Sequence, residues 1–364
     1  KNTKFLLVKI RVLRGFFGHI CKKLNLKWTI HRLVKEKYFM RIARPLFFTL
    51  LVLSLMVAAC AAAAPEVQDE SPVENVGTLK IAVLPIIDTL PMYVAEAEDL
   101  FAKYGLTVEL VPVASAPERD QLLAAGQADG TINETLAVML FNKDAVQMQA
   151  VRYALRPAEG YGHFFILASG KSGITDAQGL KGVEIGVSQG TVIEYVTERL
   201  LQAEGLTADE IKTIAVPKIP DRMALLGSGE LAAGVLPDPL ASLAMSQGAV
   251  NVLDDSKYPE YGFSIYSFRK DVVDTNPAAV SAFLAAIEEA VTLINADPTQ
   301  YTSLLSDKGL VPPPLLETFQ VPPFPAGAVP TEAEWNDGLA WLTEKGILSA
   351  DVSYADSVND SLLP

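Results

Sequence analysis

From Leu79 onward the hydrophobic pattern switches repeatedly between short apolar runs and the three-to-four spacing of amphipathic helices. Residues 79–84 read as a strand, 91–104 as a helix stopped by Gly105, and 107–113 as an alternating strand. A helix over 117–125, capped by Gly126, leads to a strand near 128–132 and a helix over 134–141. Strands over 147–153 and 163–169 follow. After Gly170-Lys171-Ser172-Gly173 a second series begins: strand 183–187, loop 188–191, helix 192–204 stopped by Gly205, strand 212–216, helix 221–226 and strand 231–236. Beyond Tyr266 the periodicity is mostly helical, over 277–296, 299–307 and 331–345, with a proline-rich loop at 311–330.

Strands alternating with helices imply an α/β protein with doubly wound, mostly parallel sheets. Ligands of such sheets sit beyond the carboxyl ends of strands, at switch points and lobe interfaces. Four loops occupy those places: 85–89, 130–133, 188–191 and 237–239.

The pattern before Leu79 is different. Met40-Arg41-Ile42-Ala43-Arg44-Pro45 precedes an apolar run over 46–59 that ends in Ala58-Ala59-Cys60. A basic start, an apolar core and small residues before a cut are the parts of a secretory signal. Small residues directly followed by cysteine resemble the lipobox of bacterial lipoproteins, in which that thiol is lipidated and becomes the first mature residue. The other reading is an uncleaved anchor, since residues 46–64 could just span a bilayer. Signal peptide 40–59, lipid attachment at Cys60 and a flexible acidic tether over 60–77 are therefore expected. Residues 1–39 are basic, precede a complete signal and are expected to be a non-native upstream extension.

Charge adds exclusions. After Cys60 there are 17 basic against 42 acidic residues, a net of −25, which disfavours nucleic acid and anionic lipid surfaces as partners. That part has no further cysteine and a single histidine, His163, so no disulfide, Cys-His metal cluster or cofactor is expected.

At the four loops the chain resembles the substrate-binding proteins of ATP-binding-cassette importers, in the nitrate/sulfonate/taurine and thiamine-precursor (NMT1/SsuA-like) family. The matching stretches are Pro91-Met92-Tyr93-Val94-Ala95-Glu96-Ala97-Glu98-Asp99-Leu100-Phe101, Tyr104-Gly105-Leu106, Leu123-Ala124-Ala125-Gly126-Gln127-Ala128-Asp129, Gly179-Leu180-Lys181-Gly182, Gly186-Val187 with Gly190-Thr191, and Leu226-Gly227-Ser228-Gly229-Glu230-Leu231-Ala232-Ala233. The resemblance covers roughly residues 78–350. It implies a two-lobed periplasmic-binding-protein (type II) fold, lobe 1 from residues 78–168 plus 265–364 and lobe 2 from 169–264, closing on a solute about a hinge of two crossing segments. It implies an exported, lipid-anchored monomer with three partners: a small-molecule solute, an ABC permease with its ATPase, and the membrane through the lipid on Cys60.

Each candidate ligand residue has a structural alternative. Gly190 and Thr191 open a helix and offer N–H and hydroxyl donors, or serve as a plain cap. Asp88 and Thr89 offer a carboxylate and a hydroxyl, or make a turn. Thr131 and Asn133 sit where the family places a first-lobe contact; Asn133 also fits as a cap for the helix at 134. Asp238, between Pro237 and Pro239, is a ligand contact or a strand-to-helix cap. Tyr161 with His163 and Phe164 forms a stacking wall for a heterocycle or a buried aromatic cluster. The scarcity of bases at these loops turns the expectation towards a neutral or amine-bearing heterocycle (a thiamine-pyrimidine precursor or riboflavin-like), with a sulfonate or nitrate as the other ligand class. A pyrimidine-precursor synthase shares the implied fold but needs a cysteine-rich motif and histidines that are missing after Cys60, so no enzyme activity is expected. A sensor domain for a membrane receptor remains open.

Overall fold

The computed structural model describes residues 74–364; the expected signal, Cys60 and most of the tether lie outside them. The first series gives β1 (Gly77–Val83), α1 (Leu90–Ala97), α2 (Leu100–Lys103), β2 (Leu106–Pro112), α3 (Ala116–Ala124), β3 (Gly130–Asn133), α4 (Thr135–Phe141) and β4 (Met148–Leu155). The second gives β5 (Phe164–Ala168), β6 (Glu184–Val187), α5 (Val192–Ala203), β7 (Lys212–Ala215), α6 (Ile219–Ser228), β8 (Ala233–Pro237), α7 (Leu240–Ser246) and β9 (Val250–Asp254). Then β10 (Ser264–Arg269) leads into α8 (Lys270–Thr275), α9 (Pro277–Ala296), α10 (Thr302–Asp307), α11 (Glu332–Glu344) and α12 (Tyr354–Ser357). The helix expected over 91–104 is two helices, because Asp99 takes a left-handed backbone with φ 54°. Asp is among the few residues that tolerate this conformation.

The strands form two five-stranded sheets of one plan, β2-β1-β3-β10-β4 and β7-β6-β8-β5-β9. In each, four strands run one way, three of them paired in parallel, and a single strand, β10 in the first sheet and β5 in the second, runs antiparallel to both of its neighbours. The parallel strands are joined by helices, as parallel neighbours require. The inserted antiparallel strand in each sheet is the one that comes across from the other lobe, β5 into the second and β10 into the first. Both sheets are therefore mixed, each lobe of this α/β, type II periplasmic-binding-protein architecture keeping a parallel half.

The sequence reading placed residues up to 168 in the first lobe, whereas β5 pairs with β8 and β9 in the second sheet. Its five consecutive buried residues are the pattern of a central strand, which reads the same in either sheet. The chain thus crosses over residues 156–163 and returns over 255–263, side by side.

Two cores hold this arrangement. In the first, Phe283 of α9 is stacked on Phe101 at 5.6 Å and edge-on to Tyr266 and Phe268. Among the described residues α9 alone is long and apolar enough to cross a membrane, yet Phe283, Leu284, Ala286 and Ile287 are fully buried in this core. The second core runs from Ala82 and Leu136 beneath the first sheet to Ile166 and Val196 in the second lobe, through Trp335 and Trp341 of α11.

Candidate functional site

A cavity of about 280 Å³ lies between the two sheets, beside the crossing segments. Ile87 from the loop after β1 and Leu155 at the end of β4 supply the first-lobe wall. Tyr161, His163, Phe165, Asp238, Ser242 and Met245 supply the opposite one. The third wall is residues 315–322 of the proline-rich loop, through Leu315, Thr318, Phe319, Gln320 and Pro322. Sequence reasoning treated that loop as a separator. Its length was the available signal, since long loops inside a compact domain tend to be functional.

Local geometry sets the key side chains. Tyr161 is presented by a tight turn in which Ala158 and Tyr161 exchange both backbone hydrogen bonds, at 3.0 and 2.8 Å. Its ring is half-buried on the cavity wall; Phe165, rather than the buried Phe164, shares that wall. The Asp238 backbone N–H donates to the His163 carbonyl at 2.9 Å, which ties the end of β8 to the start of β5. Asp238 Oδ1 accepts from the Ser242 N–H at 3.0 Å and the Ser242 hydroxyl at 2.6 Å. The cap and the cavity position are thus both real: Oδ1 caps α7, and Oδ2 takes no hydrogen bond among the described residues. Burial raises the Asp238 carboxyl above its ordinary range, against the hydrogen bonds from Ser242 and the more distant charge of His163.

Behind this wall is a buried ionic cluster. His163 Nε2 stands 3.4 Å from Asp88 Oδ1, and its Nδ1 lies 2.7 Å from the Gly262 carbonyl. Asp88 Oδ2 accepts from the Ser264 hydroxyl. Asp255 accepts the backbone N–H groups of His163 at 2.7 Å and Phe164 at 3.1 Å. Burial alone would favour neutral imidazole, but the Asp88 charge, Asp255 and the Gly262 carbonyl raise His163 to about 9. Burial works against the Asp88 charge too, yet the imidazolium and the Ser264 hydroxyl hold its carboxyl below the ordinary range. Asp88 therefore belongs to an ion pair at the junction of the two lobes.

The remaining candidates are bonded locally. Thr89 Oγ1 donates to the Ile86 carbonyl at 2.6 Å, a turn. Thr131 Oγ1 donates to the Ala82 carbonyl at 2.8 Å, tying β3 to β1. Asn133 Oδ1 accepts from the Ser267 hydroxyl at 2.8 Å, and its buried Nδ2 has no partner among the described residues. Thr191 caps α5, accepting from the Ile193 N–H at 3.2 Å while its hydroxyl donates to the Ser188 carbonyl at 2.7 Å. The Gly190 N–H donates to Glu194 Oε2 at 2.7 Å, so the place a ligand anion would take at this helix start holds a carboxylate of the chain itself. Tyr161 and Asp238 line the cavity, Asp88 lies directly behind it, and Gly190 and Thr191 are not among its lining residues.

Residues 73–304 match the model of the NMT1-like family. The chain belongs to that family. A binding protein of Brucella abortus is 26% identical over 210 residues, 57% of this chain and 63% of the relative, so the chain spans under two thirds of that relative's length. A protein of Escherichia coli named for binding aliphatic sulfonates is 28% identical over 170 residues, 46% of this chain and 53% of the relative. Among solved structures, the periplasmic aliphatic sulphonate binding protein SsuA from Escherichia coli superposes with a TM-score of 0.66 at 20% identity, covering 78% of this chain and 92% of that one. That likeness concerns the fold.

Proposed function

We propose that this NMT1-like protein is the extracytoplasmic solute-binding component of an ABC importer, capturing a small solute between its lobes and handing it to a permease. The observation that carries the reading is the cavity between the carboxyl ends of two sheets, walled by both lobes and by a crossing segment. The crossings at 156–163 and 255–263 act as the hinge, with solute contacts to both walls favouring the closed state. Export and a lipid on Cys60, with residues 61–77 as tether, would keep the binding domain at the outer membrane face.

Binding without turnover fits the site better than catalysis. The one histidine after Cys60 has Nδ1 on a backbone carbonyl and Nε2 on Asp88, so neither nitrogen is a free base towards the cavity. The test is calorimetric titration with thiamine pyrimidines, riboflavin, taurine, alkanesulfonates and nitrate. One chemical class is expected to bind at one site per chain and to be recovered unchanged. Conversion of the bound compound, or no heat from any of the panel, would remove this reading.

A further inference from the structure

We infer that the cavity is built for a small organic cation, an amine or protonated ring nitrogen on a flat apolar body. This rests on the solute-binding reading and gives that solute a charge.

The charges around the cavity decide the sign. Among the described residues that line it there is no Lys or Arg. The only cationic group on the wall is His163, and this one charge faces three carboxylates, Asp88 at 3.4 Å, Asp255 behind it and, beyond ion-pair distance, Asp238. Its second nitrogen is bonded to the Gly262 carbonyl. Asp238 is the carboxylate left over: Oδ1 is engaged by Ser242, and Oδ2 is not bonded by any described residue. No lysine, arginine or histidine forms an ion pair with it within 4.0 Å among the described residues. A partly buried carboxylate in this position is stabilised by a cation and repels an anion. A sulfonate or nitrate would enter beside it with no compensating base in the wall.

The rest of the lining gives the shape. Tyr161, Phe165 and Phe319 offer aromatic surface, and Ile87, Leu155, Met245 and Leu315 are aliphatic or thioether. Aromatic faces attract cations as well as flat rings. Thr318 and Gln320 supply neutral hydrogen-bonding groups at the rim. A volume of about 280 Å³ admits one small ring compound, at the lower edge of the roughly 300–1,000 Å³ usual for ligand pockets. The site therefore departs in charge from what the name of the Escherichia coli sulfonate relative states.

Three probes of one size separate the possibilities: benzylamine, benzyl alcohol and benzenesulfonate, titrated calorimetrically into the full chain at pH 7. Benzylamine is expected to bind at least tenfold more tightly than the alcohol, on the order of the effect of pairing a desolvated charge, and the sulfonate weakest. In Asp238→Asn the amide oxygen can keep the helix cap, and the amine-over-alcohol ratio is expected to collapse towards one. A second measurement needs no variant: benzylamine affinity in the unmodified protein is expected to fall as pH drops and Asp238 is protonated. Tighter binding of benzenesulfonate would overturn the cation assignment while leaving solute binding intact. Binding of none of the three, or an unchanged ratio in Asp238→Asn, would overturn it as well. Failure of the whole panel above is the separate result that removes solute binding itself.

Discussion

At the scale of single residues, His163 carries the most consequence. It lines the cavity, its backbone bonds Asp255 and Asp238, and its ring joins Asp88 of one lobe to Gly262 of the returning segment. A histidine whose folded pKa is raised to about 9 adds stability that is fully present below its unfolded value near 6.5. That stability is lost as pH rises through about 9. The melting temperature of the unmodified protein is therefore expected to fall between pH 7 and pH 10, with a shallower fall in His163→Asn. At pH 7 the variant is expected to lose about 3–5 kcal/mol, because Asp88 is left as a buried charge without its cation. Urea unfolding at the two pH values checks both statements, and parallel pH slopes for the two proteins would remove His163 as their cause. A lone histidine in a sequence says nothing of this: the pairing depends on Asp88, 75 positions earlier in the chain, and the β-crossings that bring the two together.

At the scale of elements, the alternating strands and helices were legible because each obeys a local rule. Gly105, Gly126 and Gly205 stop helices in the left-handed conformation, and Thr331 and Glu334 make a complete capping box. What local rules could not convey was the sheet to which an apolar strand belongs, as β5 shows, or the wall that residues 315–322 contribute. The candidate site followed the same division. Asp238 was reachable from strand-end reasoning and Tyr161 from the aromatic cluster it forms in sequence with His163 and Phe164, whereas Thr89, Thr131 and Thr191 spend their hydroxyls on backbone carbonyls, a choice that depends on backbone geometry. The crossing at 255–263 has a glycine for a spatial reason. A Cβ on Gly262 would stand 1.7 Å from Asp255 Oδ2. Gly262→Ala is expected to displace that carboxylate from the His163 and Phe164 N–H groups and to cost about 3 kcal/mol or more. Gly227 in α6 is the control: a Cβ there meets nothing within 4 Å. Gly227→Ala is expected to be neutral or stabilising by about 0.5–1 kcal/mol. Denaturant midpoints compare the two, and equal effects would sink the packing argument.

At the scale of the whole molecule, α11 joins the lobes at a distance from the crossings. Its first turn belongs to the first lobe, where Glu334 accepts from the Tyr153 hydroxyl and from Arg156 at 2.8 Å. Its later turns face α5 of the second lobe. Asp337 accepts from the Tyr195 hydroxyl at 2.7 Å and Arg199 Nε at 2.8 Å. The Trp341 indole donates to Glu198 at 2.7 Å, and Lys345 reaches Glu194 at 3.0 Å and Glu198 at 2.7 Å. In the proposed hinge motion, opening a cleft about the two crossings would separate these partners, so the helix would favour the closed state alongside a bound solute. The pairs are partly exposed, which limits each to about 0.5–1 kcal/mol. Asp337→Ala with Lys345→Ala removes three of these ion pairs and is expected to shift the open-to-closed ratio by roughly ten- to a hundred-and-fiftyfold. Small-angle scattering of the solute-free double variant is expected to give a larger radius of gyration than the unmodified chain. Solute association is expected to be faster and the retained affinity lower, since more of the binding energy must then go into closing the lobes. An unchanged radius together with unchanged association kinetics would confine α11 to packing and leave the crossings and the solute alone to set the closed state.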